Sequence, residues 1–341
     1  MGWFRWESRT PQKRERRILV PSLGAEFVAR PGETLLDAAL AAGVAIPWNC
    51  RVGSCGTCVC RLLSGEVKKL TDFSYVLDAS QLRSGHVLAC QSIAQSADVQ
   101  LQVGAECDLQ PAAIVSIDRI AEGIYRVALS PQRWHGYHAG QYLRIRSHPD
   151  VGNTRCYSLA SHPPASPHHY ELCVKRQAAG RVSHWLTDPA NVGKSVQISP
   201  PSGSFHLRRQ RPVPVFAAGG SGIGPIKAML EEMAIANDAR SAHLFYGARD
   251  TSHLAYADTL RVLAERSGGR LSLTFAISSA SSAIWTDCVR GRVTQHISRV
   301  SDFSSAAELY VCGGAGFVNG VVQDARARGL PGEHIHTESF G

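Results

Sequence analysis

Four cysteines constrain this chain more than any other feature. Cys50, Cys55 and Cys58 form a C-x₄-C-x₂-C run, and Cys90 follows after a long gap. A binuclear iron–sulfide rhomb takes four thiolates, two per iron, and this spacing supplies them. One tight loop wraps three of them around the centre; the fourth comes from the other side. The loop RVGSCGTC sets Gly53 and Gly56 between the thiols. Glycine lets the backbone approach closely and turn its N–H groups toward sulfur. The expectation is a [2Fe–2S] cluster held by Cys50, Cys55, Cys58 and Cys90. A zinc site would show two C-x₂-C-like pairs, and only one is present. Ten cysteines in 341 residues are too few for a disulfide scaffold. Cys60, Cys107, Cys156, Cys173 and Cys288 are expected to pack as small apolar residues. Cys60, two residues past a ligand, reads as a bystander.

A chain of 341 residues is expected to hold two or three domains. It has no apolar run of 18 residues, so the sequence predicts a soluble protein without a membrane span. No secretory signal precedes the cysteines, which predicts a reducing, cytoplasmic setting. The formal charge is +8, and the first seventeen residues carry six Lys/Arg and two Glu. Trp3, Phe4 and Trp6 lie among them. This segment, taken as residues 1–16 ahead of the first strand, reads as a poorly ordered tail. The alternative is an arm that docks on an acidic partner or a membrane, with the aromatics as anchors. Nothing beyond the tail carries a nucleic-acid-binding signature.

Three segments differ in pattern. In residues 17–104, RRILV and EFVA read as a strand hairpin. PGETLLDAALAAGV reads as a helix with Thr34 as a possible N-cap. CVCRLLSGEV reads as a second hairpin, and SGHVLACQSIAQSADVQLQV supplies the last strands and Cys90. That order fits a β-grasp fold with a mixed sheet. Residues 105–111 read as a linker. Residues 112–208 hold short alternating runs separated by turn residues, the pattern of a small antiparallel β-barrel. In residues 212–341, strand-like runs alternate with helical ones, which predicts a parallel, Rossmann-like α/β sheet. The fold class is therefore multidomain, α+β followed by α/β.

Three further motifs carry chemistry. In RCYSLAS, Arg155 suits a phosphate, Tyr157 can stack on an isoalloxazine ring, and Ser158 can hydrogen-bond near flavin N5. Gly180, Val182 and Ser183 follow where a helix starting near Ser183 would present free N–H groups to a pyrophosphate. In VFAAGGSGIGPIKAML a strand runs into Gly219, Gly220, Gly222 and Gly224, and Pro225 suits the first helical position. The turn is not the strict G-x-G-x-x-G fingerprint, but it can cradle a pyrophosphate. In YVCGGAGFV a strand ends at Cys312, where ligands of such sheets bind. The loop SHPPASPHHY, with His162, His168 and His169, reads as a solvated barrel loop, with metal binding as the alternative.

These pieces in this order resemble the ferredoxin–NADP⁺ reductase superfamily. The resemblance is to its oxygenase reductase components, whose plant-type ferredoxin domain is N-terminal, as in benzoate and terephthalate dioxygenase or phenol and methane monooxygenase reductases. It covers nearly the whole chain from about residue 17. It implies a β-grasp ferredoxin, a six-stranded FAD-binding barrel and a Rossmann-like NAD(P)H domain. By resemblance, Arg155, Tyr157 and Ser158 match the flavin motif R-x-Y-S. Val174, Lys175, Gly180, Val182 and Ser183 match the flavin-phosphate segment. Gly220, Ser221, Gly222, Ile223 and Gly224 match the G-T-G-I-A loop that meets the pyridine nucleotide, with Ser for Thr and Gly for Ala. Cys312 and Gly313 match the C-G pair beside the nicotinamide. Glu338 and Phe340 resemble a C-terminal E-x-aromatic in which Tyr is usual. Ser158, Cys312 and Glu338 are thus the expected catalytic residues. The N-terminal position of the cluster domain favours FAD over FMN. Ser279 stands where an NADPH enzyme often carries Arg; Arg249 is the remaining candidate for a 2′-phosphate, so NADH is favoured.

The resemblance implies hydride transfer from NAD(P)H to FAD, with Ser158 and Cys312 positioning the two rings. Single electrons then pass through the cluster to a terminal oxygenase. A Rieske aromatic-ring dioxygenase or demethylase is the expected partner. A di-iron monooxygenase or membrane-bound hydroxylase or desaturase is the alternative. A redox-sensing subunit without turnover is the alternative of another class. The chain is expected to be a monomer.

Overall fold

The computed structural model describes residues 15–48, 51–53, 56–73, 76–77, 79–103, 109–147, 154–163, 168–208, 212–279, 285–300 and 303–340. The basic, aromatic segment up to residue 14, together with Cys50, Cys55 and Cys107, lies outside the described residues. The chain forms two compact units, residues 1–107 and 108–341.

The first unit opens with the expected hairpin, β1 (Arg16–Val20) and β2 (Ala25–Ala29), paired antiparallel. Ile18, Val20, Phe27 and Ala29 alternate inward, and Arg17 and Glu26 pair on the outer face. β1 is the RRILV run read from the sequence, so Arg16, counted above with the tail, belongs to the strand. Helix α1 (Leu35–Ala41) starts at Thr34, whose hydroxyl accepts the Asp37 N–H at 3.1 Å. Leu35, Leu36, Ala38 and Ala39 face the core. β3 (Val59–Ser64), β4 (Val67–Lys69), α2 (Ala79–Arg83), β5 (His86–Leu88), β6 (Ser92–Ala94) and β7 (Asp98–Val103) complete the unit. The main sheet runs β2-β1-β7-β3-β5, with β1 parallel to β7 and the other pairs antiparallel. It is the mixed sheet of a β-grasp. The second expected hairpin does not form: β3 pairs with β5 and β7, whereas β4 pairs with β6. Gly65 explains the departure. Its φ is +85°, and a Cβ there would lie 2.6 Å from the Asp98 carbonyl, so the turn presses on β7 and leaves the sheet.

The second unit begins with six antiparallel strands: β8 (Gln110–Ala121), β9 (Ile124–Pro131), β10 (Tyr142–Arg146), β11 (Arg155–Ser158), β12 (Tyr170–Lys175) and β13 (Ser195–Ile198). β8 takes in the last two residues of the expected linker. The order is β11-β10-β13-β8-β9-β12, and a bridge between Leu159 and Leu172 joins the two ends into a barrel. Val127, Leu129, Leu143, Ile145, Val196 and Ile198 are among the residues that fill it. Helix α3 (Arg181–Leu186) lies between β12 and β13.

A parallel sheet follows: β14 (Val213–Gly219), β15 (Ala242–Ala248), β16 (Leu271–Ile277), β17 (Cys288–Arg290), β18 (Ala307–Gly314) and β19 (Ile335–Phe340). Its order is β17-β16-β15-β14-β18-β19, so the winding direction changes between β14 and β18. That is the switch point where ligands of open α/β sheets bind. The helices are α4 (Ile223–Ile235), α5 (Ala257–Arg266), α6 (Phe303–Ala306) and α7 (Ala315–Ala327). α4 is buried on almost every side from Ile223 to Leu230. Its partners explain why: one apolar cluster joins Ile226 and Met229 to sheet residues Phe216 and Tyr310 and to barrel residues Ile124, Ala160 and Cys173. A helix apolar all round is a buried helix.

Replacing Thr34 by Ala removes the α1 cap and should cost about 1 kcal/mol. Urea unfolding of the full chain, followed at a signal of the first unit, checks this.

Candidate functional site

Three loci hold the residues singled out in the sequence. In the first unit, Cys58 and Cys90 are both buried, and the Cys90 N–H points at the Cys58 sulfur at 3.5 Å. Gly53 and Gly56 have φ of +80° and +67°. A Cβ on Gly53 would lie 2.8 Å from Gln91 Cγ, and the Gln91 amide donates to the Arg51 carbonyl. The loop is thus folded against the Cys90 segment in a form only glycine fits. Sulfur, backbone N–H and glycine at these positions suit an iron–sulfide cluster. Cys60 is a core residue of β3, and burial pushes its thiol up to about 12.

The flavin strand is β11. Arg155 is exposed, and its guanidinium donates to the Thr154 carbonyl. Tyr157 is half-buried, and burial pushes its phenol well above the usual range. Ser158 is buried at the strand's end. Further on, Val174 and Val182 are barrel-core residues, and Lys175 is exposed. Gly180 caps α3, and a Cβ there would lie 2.5 Å from the Ser183 hydroxyl. That hydroxyl donates to the Gly180 carbonyl and accepts the Gln177 N–H. Ser183 therefore shapes the loop from within. Sequence reasoning missed Arg176, which donates to both the hydroxyl and the carbonyl of Thr187 and lies 4.7 Å over Tyr125. Arg176, Arg181, His184 and Trp185 line a groove of about 560 Å³. Two guanidiniums beside an aromatic suit an anion that carries a ring.

The nucleotide locus sits at the switch point. β14 runs into Gly220, whose φ is +57° and around which a Cβ would meet nothing within 4 Å. Gly222 is the opposite case: a Cβ there would lie 2.2 Å from the Cys312 carbonyl. So one glycine leaves room for a ligand and the other lets the turn touch β18. Gly224 in place of Ala also has a cause, because its Cβ would lie 2.7 Å from Cys173 Cβ. Ser221 and Ile223 are buried, and Gly313 is packed against Phe317 and Gly219.

The expected catalytic residues meet, although they are far apart in sequence. The Ser158 hydroxyl donates to Glu338 Oε2 at 2.8 Å, and the Cys312 sulfur lies 4.0 Å from the same oxygen. Pairing of β18 with β19 sets Cys312 opposite Glu338 and Gly314 opposite Phe340. Phe340 is half-buried against the core. Burial raises the Glu338 carboxyl to about 7, although the Ser158 bond works the other way. Burial also raises the Cys312 thiol well above its usual value. Burial therefore disfavours charge on both groups, and Glu338 changes its protonation near neutral pH.

At the end of β15, the Arg249 guanidinium lies 3.5 Å from Asp250, and its carbonyl accepts the Ser279 N–H. No sequence motif marks Asp250, the next residue. Its carboxyl is held down to about 2, first by the Ser252 hydroxyl and then by His253. In the histidine-rich loop, His168 stacks on Trp134 with ring centroids 4.6 Å apart. Among the described residues no His, Cys, Asp and Glu group is arranged to hold a metal ion. No described helix is long and apolar enough to cross a membrane.

Family models match three stretches: a 2Fe-2S iron–sulfur cluster binding domain over residues 19–95, an oxidoreductase FAD-binding domain over 106–207 and an oxidoreductase NAD-binding domain over 216–323. The chain is 30% identical to the electron transfer component of xylene/toluene monooxygenase from Pseudomonas putida, covering 96% of this chain and 94% of that protein. It is 31% identical to a reductase component of terephthalate 1,2-dioxygenase from a Comamonas species, over 92% and 94% of the two. Among solved structures, the Amycolatopsis cytochrome P450 reductase matches with a TM-score of 0.67 and 28% identity, covering 95% of this chain and 98% of that one. The ferredoxin reductase of carbazole 1,9a-dioxygenase, at 22% identity and a TM-score of 0.65, shares the fold over 96% and 99% of the chains.

A carboxyl raised by burial binds its proton more tightly folded than unfolded. Its contribution to stability is complete below pH 4.5 and is lost as pH rises through about 7. Thermal melting of wild type and Glu338→Gln across this range checks it. Wild type should lose on the order of 3 kcal/mol relative to the variant between pH 4.5 and about pH 8.

Proposed function

The chain belongs to the NAD(P)H-dependent FAD/2Fe–2S oxidoreductases, the electron-transfer reductases of multicomponent oxygenases, and on that premise we propose that it serves a Rieske aromatic-ring dioxygenase or demethylase with NADH as donor. The observation that carries the catalytic reading is the meeting of Ser158, Cys312 and Glu338 at the switch point. A bound flavin would supply hydride acceptance and one-electron release. The residues of the chain position and exclude. Tyr157 offers a half-buried ring to the isoalloxazine, and Arg155 an exposed guanidinium to phosphate. Arg176 and Arg181 extend the cationic surface along their groove. Gly220 opens space for the nucleotide pyrophosphate, and Ser221 to Gly224 lead it onto α4.

Ser158 and Cys312 would position the two rings, and Glu338 accepts the Ser158 hydroxyl and lies beside the Cys312 sulfur. Ser158 and Cys312 are buried and Glu338 is half-buried beside them, which limits water at the site. In the first unit, Cys58 and Cys90, with Cys50 and Cys55 of the same motif, would hold the cluster. Preference for NADH rests on Ser279 in place of Arg and on Asp250 beside Arg249, since a carboxylate suits a ribose 2′-hydroxyl and repels a 2′-phosphate.

Support for the Rieske partner comes from relatives named for toluate and terephthalate dioxygenases. The xylene/toluene and propane monooxygenase relatives favour the second reading, a monooxygenase partner. Reconstitution with one purified oxygenase of each kind decides between them: substrate-dependent NADH oxidation with the Rieske enzyme is expected, and coupling only to the monooxygenase would overturn the proposal.

Two measurements check the electron route and the donor. Cys55→Ser should leave flavin reduction by NADH within about twofold but slow cytochrome c reduction at least tenfold, because only the second needs the cluster. kcat/KM should favour NADH over NADPH by roughly tenfold or more, and Asp250→Ala should narrow the ratio.

A further inference from the structure

Lys227 is an α4 lysine with 4% of its surface exposed. A buried ammonium is costly unless every N–H finds an acceptor. Here each does. The Nζ lies 2.9 Å from the Ala160 carbonyl, 2.7 Å from Glu231 and 3.3 Å from Glu171. The face of Tyr256 completes the shell at 4.8 Å. Each partner is itself fixed. The Tyr256 hydroxyl donates to the same Glu171 oxygen at 2.9 Å. Tyr256 holds a φ of +58°, a left-handed conformation that a bulky residue adopts only under constraint from its surroundings. The other Glu231 oxygen accepts the His162 N–H. Glu171 belongs to β12, and its carbonyl accepts the Ala160 N–H.

The placement gives this cluster a meaning. Lys227 lies three residues beyond Gly224, on the helix that the nucleotide turn opens. Ala160 lies two residues beyond Ser158, just past the end of the flavin strand. Gly224 packs directly on Ala160 and Cys173, so the helix start already touches the barrel. A buried ion pair adds little net stability compared with an apolar contact, but it tolerates few alternative arrangements. The turn that carries one reactant and the strand that carries the other are thereby tied through a single ammonium.

We propose that Lys227 is a positioning residue for hydride transfer: its ammonium, held by Glu171 and Glu231, clamps the Ala160 carbonyl to α4 and so fixes the Ser158 strand end against the nucleotide turn. The proposal rests on the transfer site described under the proposed function. Hydride transfer requires approach to about 3–3.5 Å, and a displacement of about 1 Å can cost a hundredfold in rate. A loosened clamp therefore acts on the chemical step more than on nucleotide binding.

The test uses the full-length protein, with and without flavin, and two variants, Lys227→Met and the triple Lys227→Met/Glu171→Gln/Glu231→Gln. The triple variant removes the carboxylates that Lys227→Met leaves uncompensated, so it separates the clamp from general stability. In anaerobic stopped-flow experiments, the limiting rate of flavin reduction by NADH should fall about tenfold or more in both variants. The NADH concentration giving half that rate should move less than about threefold, and the isotope effect with 4-deuterated NADH should rise. In flavin-free protein, hydrogen exchange at the Ala160 and His162 amides should accelerate in both. A triple variant that reduces its flavin within about twofold of the wild-type rate, or that keeps wild-type protection at Ala160, would overturn the proposal. A rate that returns in step with the melting temperature would do the same. Wild-type holoprotein that NADH fails to reduce would instead refute the hydride site itself.

Discussion

A hydrogen bond between residues 180 positions apart ties this structure to its chemistry: the Ser158 hydroxyl on the Glu338 carboxyl. One partner ends a barrel strand, and the other lies on the edge strand of the parallel sheet. For the bond to form, the barrel and the sheet must share a core, and α4 provides it. A bond of this kind contributes only about 1 kcal/mol net. Its weight comes from what it costs to lose, because a half-buried, desolvated carboxyl is then left without its donor. The geometry of the site is therefore set by packing around it, and the polar atoms report whether that packing is right.

Much of the architecture was legible because its signals are local. Alternation in RRILV and EFVA marked the first hairpin, and Thr34 marked the α1 start. The change from short alternating runs to strands interleaved with helices marked the passage from barrel to parallel sheet. Gly220 and Gly222 were legible as a turn, but their division of labour was not. The sequence cannot tell a glycine that leaves a space from one that lets two backbones touch, because both answers depend on what lies across the gap.

What escaped the sequence depends on contacts distant along the chain. CVCRLLSGEV has the pattern of a hairpin, yet Gly65 is pressed on β7 and β4 pairs elsewhere. Lys227 stands in a helix that also carries Glu231 and Glu232, where a lysine reads as a solvated surface residue. Only the barrel pressed on that helix reveals it as buried. Val174 and Val182 lie in a segment matched to flavin binding, and the fold uses their side chains as barrel core. Ser183 likewise spends its hydroxyl on its own loop. Residues of a motif can therefore serve the fold itself, which leaves only its remaining side chains free to meet a ligand.

The contact of Gly224 with Cys173 has a consequence for how far this architecture is modular. A methyl group at position 224 would collide with the Cys173 side chain, so the two positions are matched in size across the seam between barrel and sheet. A nucleotide-binding half grafted from a reductase with alanine there would arrive without its complement. The graft would have to shift its helix outward or require a smaller residue at 173. Recombination among such reductases is thus governed by steric agreement at this seam, and a crossover placed in the connecting loop alone would not preserve it.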